Sequence, residues 1–222
     1  MRRMAPRAIF ATYAVAWIFL VAFVIAELVY AVLPAHDQAA LVGWASTSVH
    51  NLQHHPVGCL LTSALFPQES ASAWPVLIAL SMFGANRAIG NWRLVVVCGA
   101  GQVIGTLVSE GIVAYQVAHG LLPAADRYLI DIGPSYVVVS AIVVALLLGS
   151  WPARAAAAVD LALLVGVGDI FGGLSNLYVA AVGHVTAMAA AAVGTGILTW
   201  QARRAQARAA RSALAEPPSS PG

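Results

Sequence analysis

Four long apolar segments constrain this chain more than any other feature. They are residues 9–33, 94–117, 132–149 and 177–200. Each approaches or exceeds the roughly 20 mostly apolar residues that an α-helix needs to cross a bilayer. Charged residues make up only 9% of the chain and hydrophobic residues 60%, whereas about a quarter of a soluble domain is charged. The sequence therefore predicts a multi-pass membrane protein.

Two further apolar segments bring the predicted number of membrane helices to six. Residues 74–90 contain Pro75, and residues 153–172 contain Asp160 and Asp169. Because most connections are short, consecutive helices are expected to pack as neighbours. The first apolar segment is too long for a signal-peptide core and no small-residue cleavage site follows it, so it is expected to remain as an anchor.

The arginines predict how the helices are oriented. The chain has no lysine, and with both termini in the cytoplasm ten of its eleven arginines are cytoplasmic while Arg127 alone is outside. This positive-inside distribution requires an even number of spans. It predicts an all-α bundle of six transmembrane helices in the plasma (cell inner) membrane. The abundance of alanine and arginine suggests a bacterial, GC-rich genome, and a net charge of +2 gives no sign of a nucleic-acid surface.

The chain divides into a membrane core and a tail. Residues 1–201 are predicted to form the core, in which residues 34–73 make a structured lid on the outer surface. Residues 202–222 form a cytoplasmic tail that is rich in arginine and alanine and then in proline and serine. Such a composition predicts that the tail is partly disordered.

A serine and a histidine lie at matched depth in two of the predicted helices. Ser135 follows Gly133 and Pro134 at the outer end of the fourth helix, and His184 lies near the outer end of the sixth. At 1.5 Å per residue, both are within roughly 5–12 Å of the outer boundary. If the two helices are adjacent, His184 can take the proton of Ser135 as in a Ser–His dyad. From the residues alone, the alternative is a helix-capping serine and a bundle-facing histidine bonded to a neighbour.

Two features support a site at this depth. Proline is well tolerated in the first helical turn, and free amide groups at the helix start beside Gly133 and Ser135 would suit an oxyanion. The sixth helix also has a stripe of small residues at four-residue spacing, which allows close approach of another helix. These residues are Gly183, Ala187, Ala191 and Thr195.

Acidic residues within the membrane segments provide other candidates. Glu27 lies in the first helix at the depth of the dyad, where it would support His184 or line a water cavity. A protonated acid bonded to a neighbouring helix is the alternative for this residue. Asp160 is expected to pair with Arg154 or Arg87. If Glu27, Asp160 and Asp169 instead lined one cavity, the chain would be a small transporter, but no broken-helix repeat supports this.

A histidine cluster lies in the predicted lid. His50 and His54 would share a helical face, with His55 beside them. Two histidines one turn apart can hold a metal, although there is no obvious third ligand. A polar lid face is therefore the preferred interpretation, and no metal or cofactor is predicted.

The segments around these residues resemble the rhomboid family of intramembrane serine proteases over roughly residues 57–199. Residues 60–66 resemble the approach to the family's second helix, and residues 84–97 are similar to its inner turn between helices two and three. Residues 133–136 occupy the place of the Gly-x-Ser-Gly motif, and Gly183-His184 resembles the sixth-helix histidine segment. The resemblance implies a six-helix fold in which Ser135 is the nucleophile and His184 the base. It also implies single-span membrane substrates that enter sideways from the lipid.

Two departures from the family pattern favour a second hypothesis. Residues 66–76 lack the family's His-x-x-x-Asn pair, which helps to hold the oxyanion, and Tyr136 replaces the last glycine of the motif. A ring at position 136 would crowd Ser135 or keep the sixth helix at a distance. The second hypothesis is a non-catalytic rhomboid-like protein that binds transmembrane helices. Four polar residues are candidates to replace the missing pair: Asn51, Gln68, Ser70 and Ser72.

Overall fold

Helices form all the regular structure in the part of the chain that the computed structural model describes, residues 10–66 and 73–215. The α-helices are α1 (Ala14–Val32), α2 (Ala35–Ala45), α3 (Val49–His54), α4 (Pro56–Thr62), α5 (Trp74–Ile89), α6 (Asn91–Ala118), α7 (Ser135–Leu148), α8 (Trp151–Gly166) and α9 (Val179–Ala215). Two short 3₁₀ helices, Ala124–Tyr128 and Leu174–Asn176, lie in the connections. Each of the six predicted segments contains a helix, so the all-α prediction is confirmed.

Three of these helices are both long and apolar enough to cross a membrane. They are α1, α6 and residues 179–212 of α9. Two shorter helices, α5 and α7, are also apolar. The chain is therefore a multi-pass membrane protein.

Helix α7 lies at the centre of the bundle. Every residue from Tyr136 to Ala145 is buried, and the helix packs against α5, α6, α8 and α9. This burial on all sides explains why its sequence is apolar all round instead of amphipathic. Its 14 residues span only about 21 Å, less than the roughly 30 Å of a hydrocarbon core. At least one end of α7 is thus surrounded by other elements.

Two predicted helix ends differ from the structure. Helix α8 ends at Gly166 and not at residue 172, because the connection that follows has left-handed backbone at Asp169 and Gly173. Helix α9 continues to Ala215, well past the predicted end at residue 200. Of the predicted tail, residues 202–215 are helical, while residues 216–222 lie outside the described part.

The expectation that consecutive helices pack as neighbours is wrong for the last pair. Helix α8 packs mainly against α5 and α7, whereas α9 packs mainly against α6 and α7. Glycines explain why α6 comes so close to its partners. A Cβ atom at Gly101 would overlap Ser140 Oγ of α7, and one at Gly105 would lie 3.0 Å from the carbonyl oxygen of Gly183. The predicted small-residue stripe of α9 is buried along its length, as expected.

The segment predicted as a lid contains the short helices α2, α3 and α4, and residues 67–72 of it lie outside the described residues. Asn51 holds the turn between α2 and α3, because its Nδ2 donates to the carbonyls of Gly43 at 2.7 Å and Ser46 at 2.8 Å. Asn51 is therefore part of the lid's own scaffold. The other suggested substitutes for the missing His-Asn pair, Gln68, Ser70 and Ser72, fall among the residues that are not described.

Candidate functional site

Ser135 is the first residue of α7, directly after the N-cap residue Pro134. Gly133 has φ +131°, a conformation that only glycine adopts without strain, and its N–H donates to the carbonyl of Ser63 at 2.7 Å. In the described part of the chain, the amides of Ser135, Tyr136 and Val137 have no hydrogen-bond acceptor. The predicted helix start at Gly133-Pro134 is therefore confirmed, and it leaves amide groups beside Ser135.

Asp131 attaches the start of α7 to the lid. Its backbone N–H donates to Ser46 Oγ at 2.9 Å, and its carbonyl accepts from the N–H of Thr47 at 2.9 Å. Its carboxylate accepts from Thr47 Oγ1 at 3.2 Å and from Tyr136 Oη at 2.9 Å. Burial raises the pKa of Asp131, and the hydrogen bonds from Tyr136 and Thr47 oppose that rise. This network fixes the loop from which Ser135 emerges.

The Tyr136 ring fills the space between α7 and α9. It is buried and lies so close to Gly183 that a Cβ atom there would be 2.6 Å from Tyr136 Cε1 and would overlap the hydroxyl. On α6, a Cβ atom at Gly105 would lie 3.4 Å from Tyr136 Cδ2. The expectation that a ring at this position keeps the last helix at a distance is wrong, because Gly183 and Gly105 make room for it.

His184 is buried, with 5% of its surface exposed. Its Nδ1 lies 2.8 Å from the carbonyl oxygen of Ile170. Because a carbonyl only accepts hydrogen bonds, Nδ1 carries the proton and Nε2 of the neutral ring is an acceptor. Nε2 is buried without a hydrogen-bond partner among the described residues. The ring meets the edge of Tyr136 at a centroid distance of 5.2 Å and an angle of 81°.

Ser135 and His184 therefore lie on packed helices but are not bonded to each other. Helices α7 and α9 are in contact, and Tyr136, the residue after Ser135, touches the His184 ring. No hydrogen bond joins Ser135 to His184 within residues 10–66 and 73–215, since His184 Nδ1 is bonded to Ile170 and Nε2 is unpaired. His184 Nε2 is thus a hydrogen-bond acceptor without a partner in the described part of the chain.

A family model described as "Rhomboid-like protein" matches residues 8–190, most of the chain. This chain belongs to the rhomboid-like protein family. A search of curated proteins and a search of solved structures returned no match. The resemblance inferred from the Ser135 and His184 segments is thereby confirmed at the level of the family.

Glu27 does not support His184 in this rhomboid-like bundle. It is half-buried on α1, which packs against α5 and α6, while His184 lies on α9. Since neither nitrogen of His184 binds a carboxylate, the suggested pairing of the two residues is wrong. Its other suggested role, as lining of a water cavity, stays a prediction.

Asp160 is not paired with an arginine, contrary to the expectation. It is completely buried on α8, and neither carboxylate oxygen has a hydrogen-bond partner in the described chain. Arg154 instead donates from Nη2 to the carbonyl of Leu147 at 3.1 Å. Burial of a carboxylate without a nearby cation costs more free energy than burial of the neutral acid.

The lid histidines do share a face. The His50 and His54 rings lie 4.1 Å apart and the Tyr128 ring lies 4.8 Å from His50. Desolvation and the neighbouring His54, Arg127 and His55 lower the pKa of His50. No group of three or more potential metal ligands occurs among the described residues. The arrangement is that of an aromatic, weakly basic patch on the lid.

Sequence reasoning missed the polar residues that surround the candidate dyad. It gave Glu110, Asp131 and Thr47 no role. Glu110 is 2% exposed, and both of its carboxylate oxygens lack hydrogen-bond partners in the described chain. The one signal in the sequence was an acidic residue within an apolar segment, which marks a functional candidate by default.

Proposed function

We propose that this rhomboid-like protein is an intramembrane serine protease that cleaves single-span membrane proteins, with Ser135 as nucleophile and His184 as base. The observation that carries the proposal is the state of His184. Its Nδ1 is held by the Ile170 carbonyl at 2.8 Å, and its buried Nε2 is an acceptor without a partner. A histidine oriented through one nitrogen and open at the other is the arrangement required of a general base.

In the proposed reaction, His184 Nε2 accepts the proton of Ser135 as Oγ attacks the scissile carbonyl carbon. The imidazolium then gives this proton to the leaving amine, which leaves an acyl group on Ser135. Water, deprotonated by the same Nε2, then attacks the acyl carbonyl. The bond from the acyl carbon to Ser135 Oγ breaks, the imidazolium returns its proton to Oγ, and the new carboxyl terminus is released. The hydrogen bond between a catalytic serine and its histidine is often long before substrate binds and becomes shorter in the complex.

The developing oxyanion would be held by the start of α7. The amides of Ser135 and Tyr136 are without acceptors in the described chain, and a helix N-terminus favours negative charge. The absent His-x-x-x-Asn pair still lowers the expected rate. Removal of one oxyanion donor costs roughly 2.7–4 kcal/mol, or about 10²–10³-fold in rate, in a soluble serine protease.

We further propose that six helices cross the plasma membrane of a bacterium with both termini in the cytoplasm. The crossing helices would be α1, α5, α6, α7, α8 and α9. Exposed tryptophans support this arrangement because Trp92, Trp151 and Trp200 would all lie in the cytoplasmic interface, where tryptophan is enriched. The membrane core would then be residues 1–201 with the lid at 34–73, and residues 202–222 would be the cytoplasmic tail.

A second function, non-catalytic binding of transmembrane helices, is favoured by a separate observation. The Tyr136 ring occupies the position beside Ser135 where the protease motif has glycine, and no bond joins Ser135 to His184 in the described chain. In this case the same surface would hold a client helix without cleaving it.

One pair of experiments separates the two functions. The purified protein in liposomes is mixed with a panel of single-span substrates, and separately with a fluorophosphonate probe that labels activated serines. Ser135→Ala and His184→Ala are compared with Ser150→Ala and His119→Ala, which change exposed residues. We expect cleavage and labelling to be lost in the first two variants only.

Other outcomes decide against proteolysis. Cleavage that persists in Ser135→Ala would rule out this residue as the nucleophile. A folded protein that neither cleaves nor takes up the probe, but co-purifies with single-span proteins, would favour the binding function.

A further inference from the structure

A groove of about 320 Å³ lies between the first turns of α6 and the middle of α9. Its walls are apolar and include Val96 and Val97 of α6 and Gly194 and Ile197 of α9. A Cβ atom at Gly194 would lie 3.5 Å from Val97 Cγ2, an ordinary van der Waals contact, so only a side chain longer than alanine would fill the groove from this position. The groove faces outward from the bundle, since Val96 and Ile197 are 44% and 50% exposed. In a bilayer it is therefore open to lipid.

One end of this groove is polar and cationic. Arg93 and Gln201 line it there, beside the exposed ring of Trp92. Arg93 forms no ion pair within the described chain, where the one ion pair is between His36 and Asp37. The groove thus combines an apolar wall with an unneutralised cation at its mouth.

We propose that this groove binds one anionic phospholipid, with an acyl chain against Val97 and Gly194 and the phosphate at Arg93. Arginine presents a planar set of donors that suits phosphate oxygens. Basic residues at a membrane surface attract anionic lipids, and tryptophan prefers the level of the headgroups. Charge and polarity therefore place the headgroup at the Arg93 end and the chain toward the bilayer centre.

The dimensions favour a lipid chain over a protein helix. A volume of about 320 Å³ is at the lower end of the roughly 300–1,000 Å³ of small-molecule sites. A transmembrane helix with its side chains is about 10–12 Å across and cannot enter such a groove. The site is distinct from Ser135 and His184, so the inference does not depend on proteolytic activity.

The test is native mass spectrometry of the full-length protein released from detergent micelles, titrated with phosphatidylglycerol and, separately, with phosphatidylcholine. We expect one phosphatidylglycerol to bind in preference to phosphatidylcholine. Arg93→Gln should weaken phosphatidylglycerol binding about fivefold, since one basic residue near the surface contributes about that factor, and should leave phosphatidylcholine binding unchanged. The matched control Arg154→Gln changes another exposed arginine, at the start of α8 and outside the groove.

A second pair of variants tests the chain-binding wall. Gly194→Leu fills the groove, so the bound-lipid peak should be lost for both lipids. Gly196→Leu is the control, because a Cβ atom at Gly196 has no atom within 4 Å. Equal lipid binding by Gly194→Leu and Gly196→Leu, or by Arg93→Gln and Arg154→Gln, would overturn the proposal. So would a protein dimer that Gly194→Leu alone abolishes, since the groove would then be a contact between two copies.

Discussion

The contact between Gly183 and Tyr136 leads to a prediction whose magnitude can be worked out. In Gly183→Ala, the new methyl group would overlap the Tyr136 hydroxyl and lie 2.6 Å from its Cε1, so the ring must move. Overpacking of this kind costs about 1–3 kcal/mol. Movement of the ring also breaks the 2.9 Å hydrogen bond to Asp131, and a bond to a charged group contributes about 1.5–3 kcal/mol.

The helix itself gains from the same substitution. Alanine is about 1 kcal/mol more favourable than glycine in a helix interior. The net expectation for Gly183→Ala is therefore a loss of about 1.5–5 kcal/mol in the free energy of unfolding. Gly196→Ala, on the open face of α9, is the matched control and should be neutral or stabilising by up to about 1 kcal/mol.

A double-mutant cycle with Tyr136→Ala tests the cause. The free energy of unfolding is measured by titration with sodium dodecyl sulfate in mixed micelles, followed by circular dichroism. Once the ring is absent, Gly183→Ala has nothing to displace, so its effect should change sign and become slightly stabilising. The reasoning is refuted if Gly183→Ala destabilises the protein equally with and without the Tyr136 ring.

Three further predictions concern the start of α7 and the contact between α5 and α1, and use the same unfolding assay. Gly133→Ala should destabilise the protein by roughly 1–3 kcal/mol, because φ is +131° and a residue with a Cβ atom is strained there; an unchanged value would contradict the need for glycine. Burial raises the pKa of Asp131, so the folded state holds this proton more tightly than the unfolded state. The contribution of Asp131 should be greatest below about pH 4 and be lost as the pH rises through the raised pKa. Asp131→Asn should remove this loss, and a variant with the same pH profile as the parent would show that Asp131 is not its source. Asn86→Leu should cost about 2–4 kcal/mol, because Asn86 Oδ1 accepts from the Ala16 amide at 3.1 Å and Nδ2 donates to the Thr12 carbonyl at 3.1 Å, and such buried groups cost about 1–3 kcal/mol each when unpaired. The control is Gln206→Leu, which changes an exposed amide on α9 and should have a smaller effect; equal losses would contradict the role given to Asn86.

The sequence predicts the helices well because membrane insertion imposes a strong, local signal. Length and apolarity locate α1, α6 and the start of α9 within about five residues, and Gly133-Pro134 marks the start of α7. The error at the end of α8 has a local cause, since Gly168, Asp169 and Gly173 allow the chain to leave the helix while it is still apolar. Helix contacts are harder to predict from the sequence, because α8 and α9 are consecutive and both pack against α7, and yet they pack on opposite partners otherwise, α5 for α8 and α6 for α9.

The candidate site is less predictable, since it depends on contacts between distant parts of the chain. From the motif alone, the Tyr136 ring is expected to prevent close packing of α7 and α9. The two helices pack closely because Gly183 and Gly105, which are distant in sequence, leave space for the ring. Asp131 gains its role through Thr47, which is 84 residues away. No periodicity or spacing encodes such contacts.

The bond between His184 and Ile170 also has a consequence for which changes can disturb the histidine. Its acceptor is a main-chain carbonyl, so substitution of the Ile170 side chain leaves the acceptor in place. What positions that carbonyl is the path of the connection, with left-handed backbone at Asp169 and Gly173 on either side. Insertions and deletions between α8 and α9 therefore threaten the tautomer of His184 more than point mutations do. The length of the connection between α8 and α9 is therefore the feature that indicates whether His184 keeps its proton on Nδ1. A comparison of single residues does not detect it.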